Sequence, residues 1–237
     1  MHLPDGFINN QISVGLVAVS IGFLAVSFTQ VKKSLFKKIT VIKNQLALAD
    51  GFTTESSLSQ KSVLSQKGME KIRLMAVVGS LIFAMQMINF PVVNGTSGHL
   101  IGGALVAITL GPWAGLIVIS IVLLVQSLIF ADGGVLVLGA NIFNMGIIAT
   151  VGGYYLFAFV NKFFKKRIFQ FISIGIVAWL SVIFASFFCA LEIGWSGTIS
   201  LNLVLPAMIK IHLLIGLGEA LLTYLLIKVL KLKLYEK

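Results

Sequence analysis

The stretch WAGLIVISIVLLVQSLIF, residues 113–130, is 18 residues long and contains no charged side chain. A helix of that length crosses most of the ~30 Å hydrocarbon core of a bilayer. Further apolar stretches of this kind recur along the chain, so the sequence predicts an all-α integral membrane protein with seven transmembrane helices. The predicted segments are about 12–29, 72–89, 99–110, 113–130, 139–160, 168–190 and 207–229.

The composition supports a membrane protein and excludes several other classes. Of the 237 residues, 58% are apolar and 11% are charged, whereas soluble proteins have about a quarter charged residues. Abundant Phe and Gly with only 4 Pro favour packed helices over a β-barrel. The single Cys189 excludes a disulfide and a thiolate cluster, and it is predicted to be a packing residue.

The basic residues predict the orientation. Nine of the 18 lie between Lys32 and Arg73, four lie within 162–167, and four lie from Lys228 onward. With seven helices these regions fall on one side, which the positive-inside rule makes cytoplasmic. The N-terminus is then outside, the C-terminus is cytoplasmic, and residues 31–70 form a cytoplasmic loop. The basic residues flank apolar runs, so the cytoplasmic flanks of membrane helices explain the formal charge of +10. The expected partner is the lipid bilayer, and nucleic acid is not expected.

Two segments are irregular within the predicted single membrane domain, 1–237. Gln45–Gln66 is rich in Ser, Thr and Gln and predicts a linker, with one short helix over Ile39–Ala49. The third apolar run stops at Gly111-Pro112 after about 12 residues. It is either a short helix beside a re-entrant segment or a helix that begins earlier, within Asn94–Gly98.

The chain begins Met1-His2-Leu3-Pro4-Asp5, and its first two residues form a chelating unit. The α-amine, the His2 amide nitrogen and the His2 imidazole close adjacent five- and six-membered rings around one metal ion. A bulky second residue is expected to leave Met1 in place, and no cleaved leader is predicted. The alternative is an unstructured start of the chain.

A second imidazole completes this hypothesis. The run Gly95-Thr96-Ser97-Gly98-His99 is predicted to lie on the same side as the N-terminus, with Thr96 or Ser97 capping the following helix. Three nitrogens from the terminus and one from His99 make a planar set, which favours Ni(II), Cu(II) or Co(II) over Zn(II) and Mg(II). The alternative is an ordinary loop with His99 as an interface histidine.

Other polar residues are candidates for roles around the site. Asp5 is predicted to orient an imidazole, or else to be a solvated or capping acid. Two amide pairs are each predicted to share a helix face and to bond between helices or to contact a ligand. His212 and Glu219, two turns apart, are either functional or a buried His–Glu or Glu–backbone pair. The amide pairs are Gln86 with Asn89 and Asn141 with Asn144.

Six ordered blocks resemble one family, the substrate-binding membrane component of energy-coupling-factor (ECF) cobalt/nickel importers, CbiM/NikM. They cover nearly the whole chain outside 31–70. The blocks are MHLPDGF (1–7), MINFPVVNGTSGH (87–99), LGPWAG (110–115), QSLIFADGG (126–134), LGANIFNM (138–145) and GLGEALLT (216–223).

The resemblance implies a seven-helix fold with the N-terminal loop inserted into the bundle. It also implies a planar site made by the Met1 amine, the His2 amide and imidazole nitrogens, and the His99 imidazole. Co(II) or Ni(II) would be the transported ligand rather than a permanent cofactor. The implied partners are an ECF transmembrane scaffold subunit, cytoplasmic ATPase subunits and a small accessory membrane subunit, so the chain is not expected to be an enzyme. The implied location is the cytoplasmic membrane.

Two departures and several alternatives accompany the resemblance. Val31–Glu70 is longer than the family pattern, and Lys210 replaces a usually uncharged residue. Cobalt is favoured over nickel because the chain carries no fused accessory segment; a nickel-specific component is the alternative. A vitamin-binding ECF component would use Trp113, Trp179 and Trp195. An intramembrane metalloenzyme would need a base, for which Asp5 and Glu219 are the candidates.

Overall fold

The computed structural model describes residues 1–46, 54–91, 97–163 and 167–235. These residues form seven helices and two antiparallel two-stranded sheets. The helices are α1 (Asn10–Leu35), α2 (Gln66–Gln86), α3 (Gly103–Leu110), α4 (Pro112–Ile129), α5 (Leu138–Asn161), α6 (Arg167–Trp195) and α7 (Leu201–Val229). The strands are β1 (Phe36–Leu46), β2 (Thr54–Leu64), β3 (Asn89–Pro91) and β4 (Ser97–His99).

Within the described residues, five helices are long and apolar enough to cross a membrane. They are α1, α4, α5, the Gln170–Trp195 part of α6, and α7. The protein is therefore a multi-pass membrane protein. The remaining two helices differ from these: α2 has a less apolar sequence, and α3 has only 8 residues.

The short helix α3 lies at the centre of the bundle, and all of its residues are buried. Small residues allow the neighbouring helices to come close to it. A side chain at Gly103 would collide with Ala149 of α5, and one at Gly146 of α5 would collide with Leu116 of α4. Close backbone approach of this kind is how helices pack where lipid supplies no hydrophobic driving force.

Helix α5 contains an 11-residue π-helical segment, Ile142–Gly152. The Thr150 hydroxyl donates to the Met145 carbonyl, five residues back, at 2.9 Å. Asn141 and Asn144, which were predicted to share a helix face, bond to different neighbours: Asn141 to Leu3, and Asn144 to Glu192 of α6. Segments of π-helix commonly mark functional sites.

Three predicted elements differ from the observed ones. Strand β1 pairs with β2 where a short helix over Ile39–Ala49 was predicted, because Ile39, Val41 and Ile42 favour extended backbone; the last residues of that range lie outside the described part. Helix α3 begins at Gly103 with Gly102 as its N-cap, so neither Thr96 nor Ser97 caps it.

Helix α7 begins at Leu201, before Pro206 rather than after it. Pro206 removes one N–H donor in the second turn, and the helix continues through it. The helix therefore begins six residues before the predicted final span, 207–229.

The C-terminal segment returns to the end of the bundle that is remote from residue 1. The Tyr235 N–H donates to the Ile108 carbonyl of α3 at 2.6 Å. Its ring covers Gly111, whose φ of +84° and lack of a side chain allow the contact, and it meets the Tyr154 ring edge-to-face at 5.9 Å. The segment thus covers the turn at Gly111, between α3 and α4.

Candidate metal centre

The first three residues are buried at one end of the helix bundle. Met1, His2 and Leu3 expose 1%, 4% and 1% of their surface. The Leu3 N–H donates to Asn141 Oδ1 at 2.8 Å, and the Leu3 carbonyl accepts from Asn141 Nδ2 at 3.2 Å and from the Gly134 N–H at 2.8 Å. The start of the chain is therefore ordered rather than frayed.

Further contacts hold the segment between His2 and α1. Asp5 Oδ1 accepts from the Leu136 N–H at 2.8 Å, and the Phe7 carbonyl accepts from the Thr198 hydroxyl at 2.6 Å. The prediction that Asp5 orients an imidazole is wrong, because its carboxylate is directed to this backbone donor. Asp5 instead attaches the N-terminal segment to the loop before α5.

The loop that receives the N-terminus has no room for extra side chains. A Cβ at Gly134 would collide with Asp5, and one at Gly133, where φ is +90°, would lie 3.4 Å from the His2 ring. Gly133 and Gly134 therefore allow close approach of the two backbones. The N-terminal segment therefore packs directly against the backbone of this loop.

His99 ends β4 and is completely buried. Its Nδ1 lies 2.7 Å from the Leu100 carbonyl, and since a carbonyl only accepts, Nδ1 carries the proton. Nε2 is buried and has no partner in the described part of the chain. In this tautomer Nε2 is unprotonated, so its lone pair is available to bind a metal ion.

The structure brings His2 and His99 together. Their rings stack with centroids 4.3 Å apart and an interplanar angle of 22°. Two stacked rings direct their nitrogens along nearly parallel planes, so ligation of one ion by both would require one ring to turn. The two imidazoles singled out from the sequence thus share one site.

The turn between His99 and α3 is held by a carboxylate from α7. Glu219 accepts from the Ile101 N–H at 2.9 Å and from the Gly102 N–H at 2.7 Å. Gln86 Nε2 donates to the Ile101 carbonyl at 2.7 Å. Of the alternatives for Glu219, the Glu–backbone pair is the one observed, and it fixes the segment that carries His99.

Burial also prepares the N-terminal nitrogens for ligation. It lowers the pKa of the Met1 α-amine from 8.0 to about 5, and it lowers the pKa of His2 below its usual 6.5 despite the neighbouring Asp132. A protonated amine or imidazolium has no lone pair for a metal ion. At neutral pH both groups are therefore ready to bind a cation.

Three polar residues near the site were not predicted from the sequence. Asp132 Oδ1 lies 3.2 Å from His2 Nδ1, and Gln126 is completely buried beside the same ring. Glu192 of α6 accepts from Asn144 Nδ2 at 2.7 Å. Asp132 and Gln126 lie in the block 126–134 that carries the family resemblance, and Glu192 is an acid at the end of an apolar run. Each of the three could therefore have been selected from the sequence as a candidate.

The remaining predicted residues occupy different positions. Asn89 lies opposite His99 in the β3–β4 hairpin and next to Asp132, so it does not share a helix face with Gln86, which ends α2. Ser97 pairs with Pro91 in the same hairpin, and its side chain lies outside the described part. His212 is buried, with Nδ1 2.7 Å from the Met208 carbonyl, and is not paired with Glu219.

The tryptophans do not form one binding cavity. Trp113 lies beside Tyr235 at the remote end, Trp179 donates to the Leu213 carbonyl at 3.1 Å, and Trp195 is 68% exposed. An aromatic vitamin site built from these three residues is therefore not present. Both candidate bases of a metalloenzyme, Asp5 and Glu219, are occupied by backbone donors.

Side chains alone do not make a metal site. Within residues 1–46, 54–91, 97–163 and 167–235, no group of three His, Cys, Asp or Glu side chains is placed to hold an ion. A site at His2 and His99 must therefore use other donors. The buried Met1 amine and the His2 amide nitrogen are the donors at hand.

Comparison with known proteins identifies the family of the chain. The family model CbiM, described as "Cobalt uptake substrate-specific transmembrane region", matches residues 52–234. A solved structure titled as a truncated transition metal transporter superposes with a TM-score of 0.79 and 28% identity, covering 98% of each chain.

Two curated relatives are similar in sequence. A putative fused nickel transport protein of Archaeoglobus fulgidus is 38% identical over 164 residues, which cover 68% of this chain and 54% of the relative. The chain thus spans about half the length of that protein. A cobalt transport protein of Acetoanaerobium sticklandii is 23% identical over 237 residues, covering 97% of this chain and 84% of the relative.

Proposed function

The chain belongs to the CbiM family of cobalt/nickel transport proteins, and on that premise we propose that it captures Co(II) or Ni(II). The proposed ligands are the Met1 amine, the His2 amide and imidazole nitrogens, and His99 Nε2. The observation that carries this proposal is the burial of residue 1 beside two stacked imidazoles, one of them with a free Nε2. Burying an α-amine has a large desolvation cost, which metal ligation would offset.

The donor set supports late first-row cations as cargo. Four nitrogens in a plane suit Ni(II) and Co(II), and a deprotonated amide requires a cation that competes well with a proton. Between the two, cobalt remains the preference, a proposal that rests on the sequence alone. Competition of Co(II) against Ni(II) for the purified protein would measure it directly.

In this proposal the protein is a substrate-capture subunit with no ATPase of its own. An ECF transmembrane scaffold, cytoplasmic ATPase subunits and a small accessory membrane protein would be separate chains that drive release. Seven membrane spans, an external N-terminus and a cytoplasmic C-terminus belong to the same proposal. The β1–β2 hairpin would then lie on the cytoplasmic side, where those partners bind.

The deciding experiment is an extension of the N-terminus. Three Gly residues placed before Met1 move the free amine away from His2 and should abolish high-affinity binding of Co(II) and Ni(II) in calorimetric titration. One residue is too few, because an amine, two amides and His2 would then form a new four-nitrogen chelate. The same three residues added after Lys237 serve as the control. Unchanged affinity in a folded N-terminally extended protein would refute the chelate.

Orientation has its own test. A cysteine at position 57 in a Cys189→Ser background should be labelled by a membrane-impermeant maleimide only after the membrane is permeabilised. A cysteine at position 197, in the turn between α6 and α7, should be labelled in intact cells. Labelling of position 57 from outside would refute the seven-span arrangement.

A further inference from the structure

Asp132 lies beside the proposed site of metal capture at Met1, His2 and His99, and the role assigned to it rests on that proposed function. Asp132 Oδ1 is 3.2 Å from His2 Nδ1. The two side chains differ in exposure: the imidazole exposes 2% and the carboxylate 21%. Asp132 therefore connects the solvent at this end of the bundle to a buried ligand atom.

The nitrogen that Asp132 contacts is the one that closes the proposed chelate. A metal ion bound to the His2 amide forms a six-membered ring only through Nδ1, since the ring then contains Cα, Cβ and Cγ. A metal–imidazole nitrogen bond is about 2 Å long. The carboxylate thus stands beside the position that the cation must reach.

Other acids near the site do not have this placement. Asp5 is bound to the Leu136 N–H, and Glu219 is bound to the turn before α3. Glu192 is buried and bonded to Asn144. Among the acids in the described part of the chain, Asp132 combines partial exposure with contact to a ligand ring.

The local backbone directs the carboxylate inward. Ala131 adopts a φ of +54°, which is uncommon for a residue with a side chain, and the Asp132 N–H donates to the Gln126 carbonyl at 3.1 Å. This conformation places the Asp132 carboxylate beside the His2 ring.

A carboxylate is suited to the first step of capture and unsuited to the last. A hydrated divalent cation exchanges water for an anionic oxygen readily, whereas the tightest binding of Co(II) and Ni(II) comes from nitrogen donors. We infer that Asp132 is the entry ligand: it takes the hydrated cation from solvent, passes it to the nitrogen set through His2 Nδ1, and is not among the final four ligands.

An entry ligand changes rates more than affinity. It lowers the barrier for arrival and departure alike, because both pass through the same oxygen-bound intermediate. A residue that only supports the folded site would instead change affinity, mainly by raising the dissociation rate. The two roles are therefore separated by measuring both rate constants.

Stopped-flow binding of Ni(II) to the purified full chain tests the inference. In Asp132→Asn, association and dissociation should both slow at least about tenfold, because both pass through the oxygen-bound intermediate, which a neutral amide oxygen stabilises less than a carboxylate does. The dissociation constant should change less than about fivefold. The ligand-field absorption of the bound Ni(II) should be unchanged. Asp132→Glu, which keeps a carboxylate, should recover much of the association rate.

The control is Glu70→Gln, which removes the same charge from an exposed position in α2, and its rates should equal those of the unmodified protein. Unchanged rates in Asp132→Asn, or faster dissociation with weaker affinity, would overturn the entry role. A change in the Ni(II) spectrum would do so as well, by making Asp132 a permanent ligand. Failure of the unmodified protein to bind metal would instead refute the proposed function itself.

Discussion

Two segments bring the proposed nitrogen ligands to one site, and they are held in different ways. The N-terminal arm, residues 1–7, has a free end; next to the proposed ligands it is attached through neutral hydrogen bonds between Leu3 and the residues Asn141 and Gly134, and the Asp5 carboxylate bonds to the Leu136 N–H further along. The hairpin arm, β3 and β4 with residues 100–102, is continuous with α3 and is attached through the Glu219 carboxylate.

The two kinds of attachment should affect metal binding and folding to different extents. Neutral hydrogen bonds contribute about 1 kcal/mol each, whereas bonds to a charged group contribute about 1.5–3 kcal/mol and leave a buried acceptor unpaired when broken. Loss of a Leu3 contact should thus weaken the site and leave the bundle intact. Loss of the Glu219 contacts should weaken both.

The largest effect should follow removal of either imidazole. His2→Ala and His99→Ala should each lower metal affinity by at least about 100-fold, because loss of a ligand exceeds the 10–100-fold effect of changing its supporting residue. Calorimetric titration measures the affinity, and circular dichroism checks folding. His212→Ala is the comparison, with affinity retained; a folded His99→Ala protein that binds tightly would move the site elsewhere.

Glu219→Gln should come next and should affect the hairpin arm. The amide can accept one of the two backbone bonds but cannot replace both, so affinity should fall about 10-fold or more and thermal stability should also fall. Metal titration and thermal unfolding in detergent measure the two effects. Glu192→Gln changes another buried acid away from this arm and should alter stability without affinity. Equal affinities of the two variants would contradict the role of Glu219.

Asn141→Ala should have a smaller and more selective effect. It removes both side-chain bonds to Leu3 and leaves the bond from the Gly134 N–H to the Leu3 carbonyl in place, so affinity should fall by about 3- to 10-fold. The melting temperature should change less than in Glu219→Gln. A larger stability loss in Asn141→Ala than in Glu219→Gln would reverse the distinction between the arms.

The smallest expected effect is in the number of protons that the protein releases when it binds metal. Because the pKa of the buried Met1 amine is about 5, the amine is already neutral at pH 7 and releases no proton when metal binds. The amide alone should release about one proton, so the logarithm of the affinity should rise about one unit per pH unit between pH 6 and 8. Below pH 5 the slope should approach two as the amine becomes protonated. Calorimetry in buffers of different ionisation enthalpy counts the protons; a release of about two at pH 7 would show an exposed amine.

The proposed ligand set was selected from residue chemistry, and the structure places two of its residues, His2 and His99, side by side. The spacing of Met1 and His2 defines a chelate without reference to any fold, and the scarcity of histidine left few partners for it. Both signals are local in sequence, which is why they could be recognised. The glycine-rich run before His99 predicted irregular backbone at a helix start, whereas Ser97–His99 is a strand and α3 begins at Gly103.

The contacts that hold the ligands could not be predicted in the same way. Asp132 and Asp5 are both acids next to glycine, and only the loop conformation decides that Asp132 meets His2 while Asp5 meets Leu136. Helical spacing left Glu219 with either His212 or backbone groups as partners, and it could not identify the Ile101 and Gly102 N–H groups, more than 100 residues away in sequence, to which Glu219 bonds. Long-range backbone donors carry no side-chain signal.

The short helix α3 joins the metal centre to the remote end of the bundle. Its 8 residues make a rod about 12 Å long, with the segment carrying His99 before one end and the Tyr235 contact at the other. A displacement of the C-terminal tail would move the Ile108 end of α3, to which Tyr235 is bonded. Because α3 is a short rigid helix, the displacement would tilt its Gly103 end and shift the segment that carries His99. The tail is therefore mechanically coupled to His99 without contacting it.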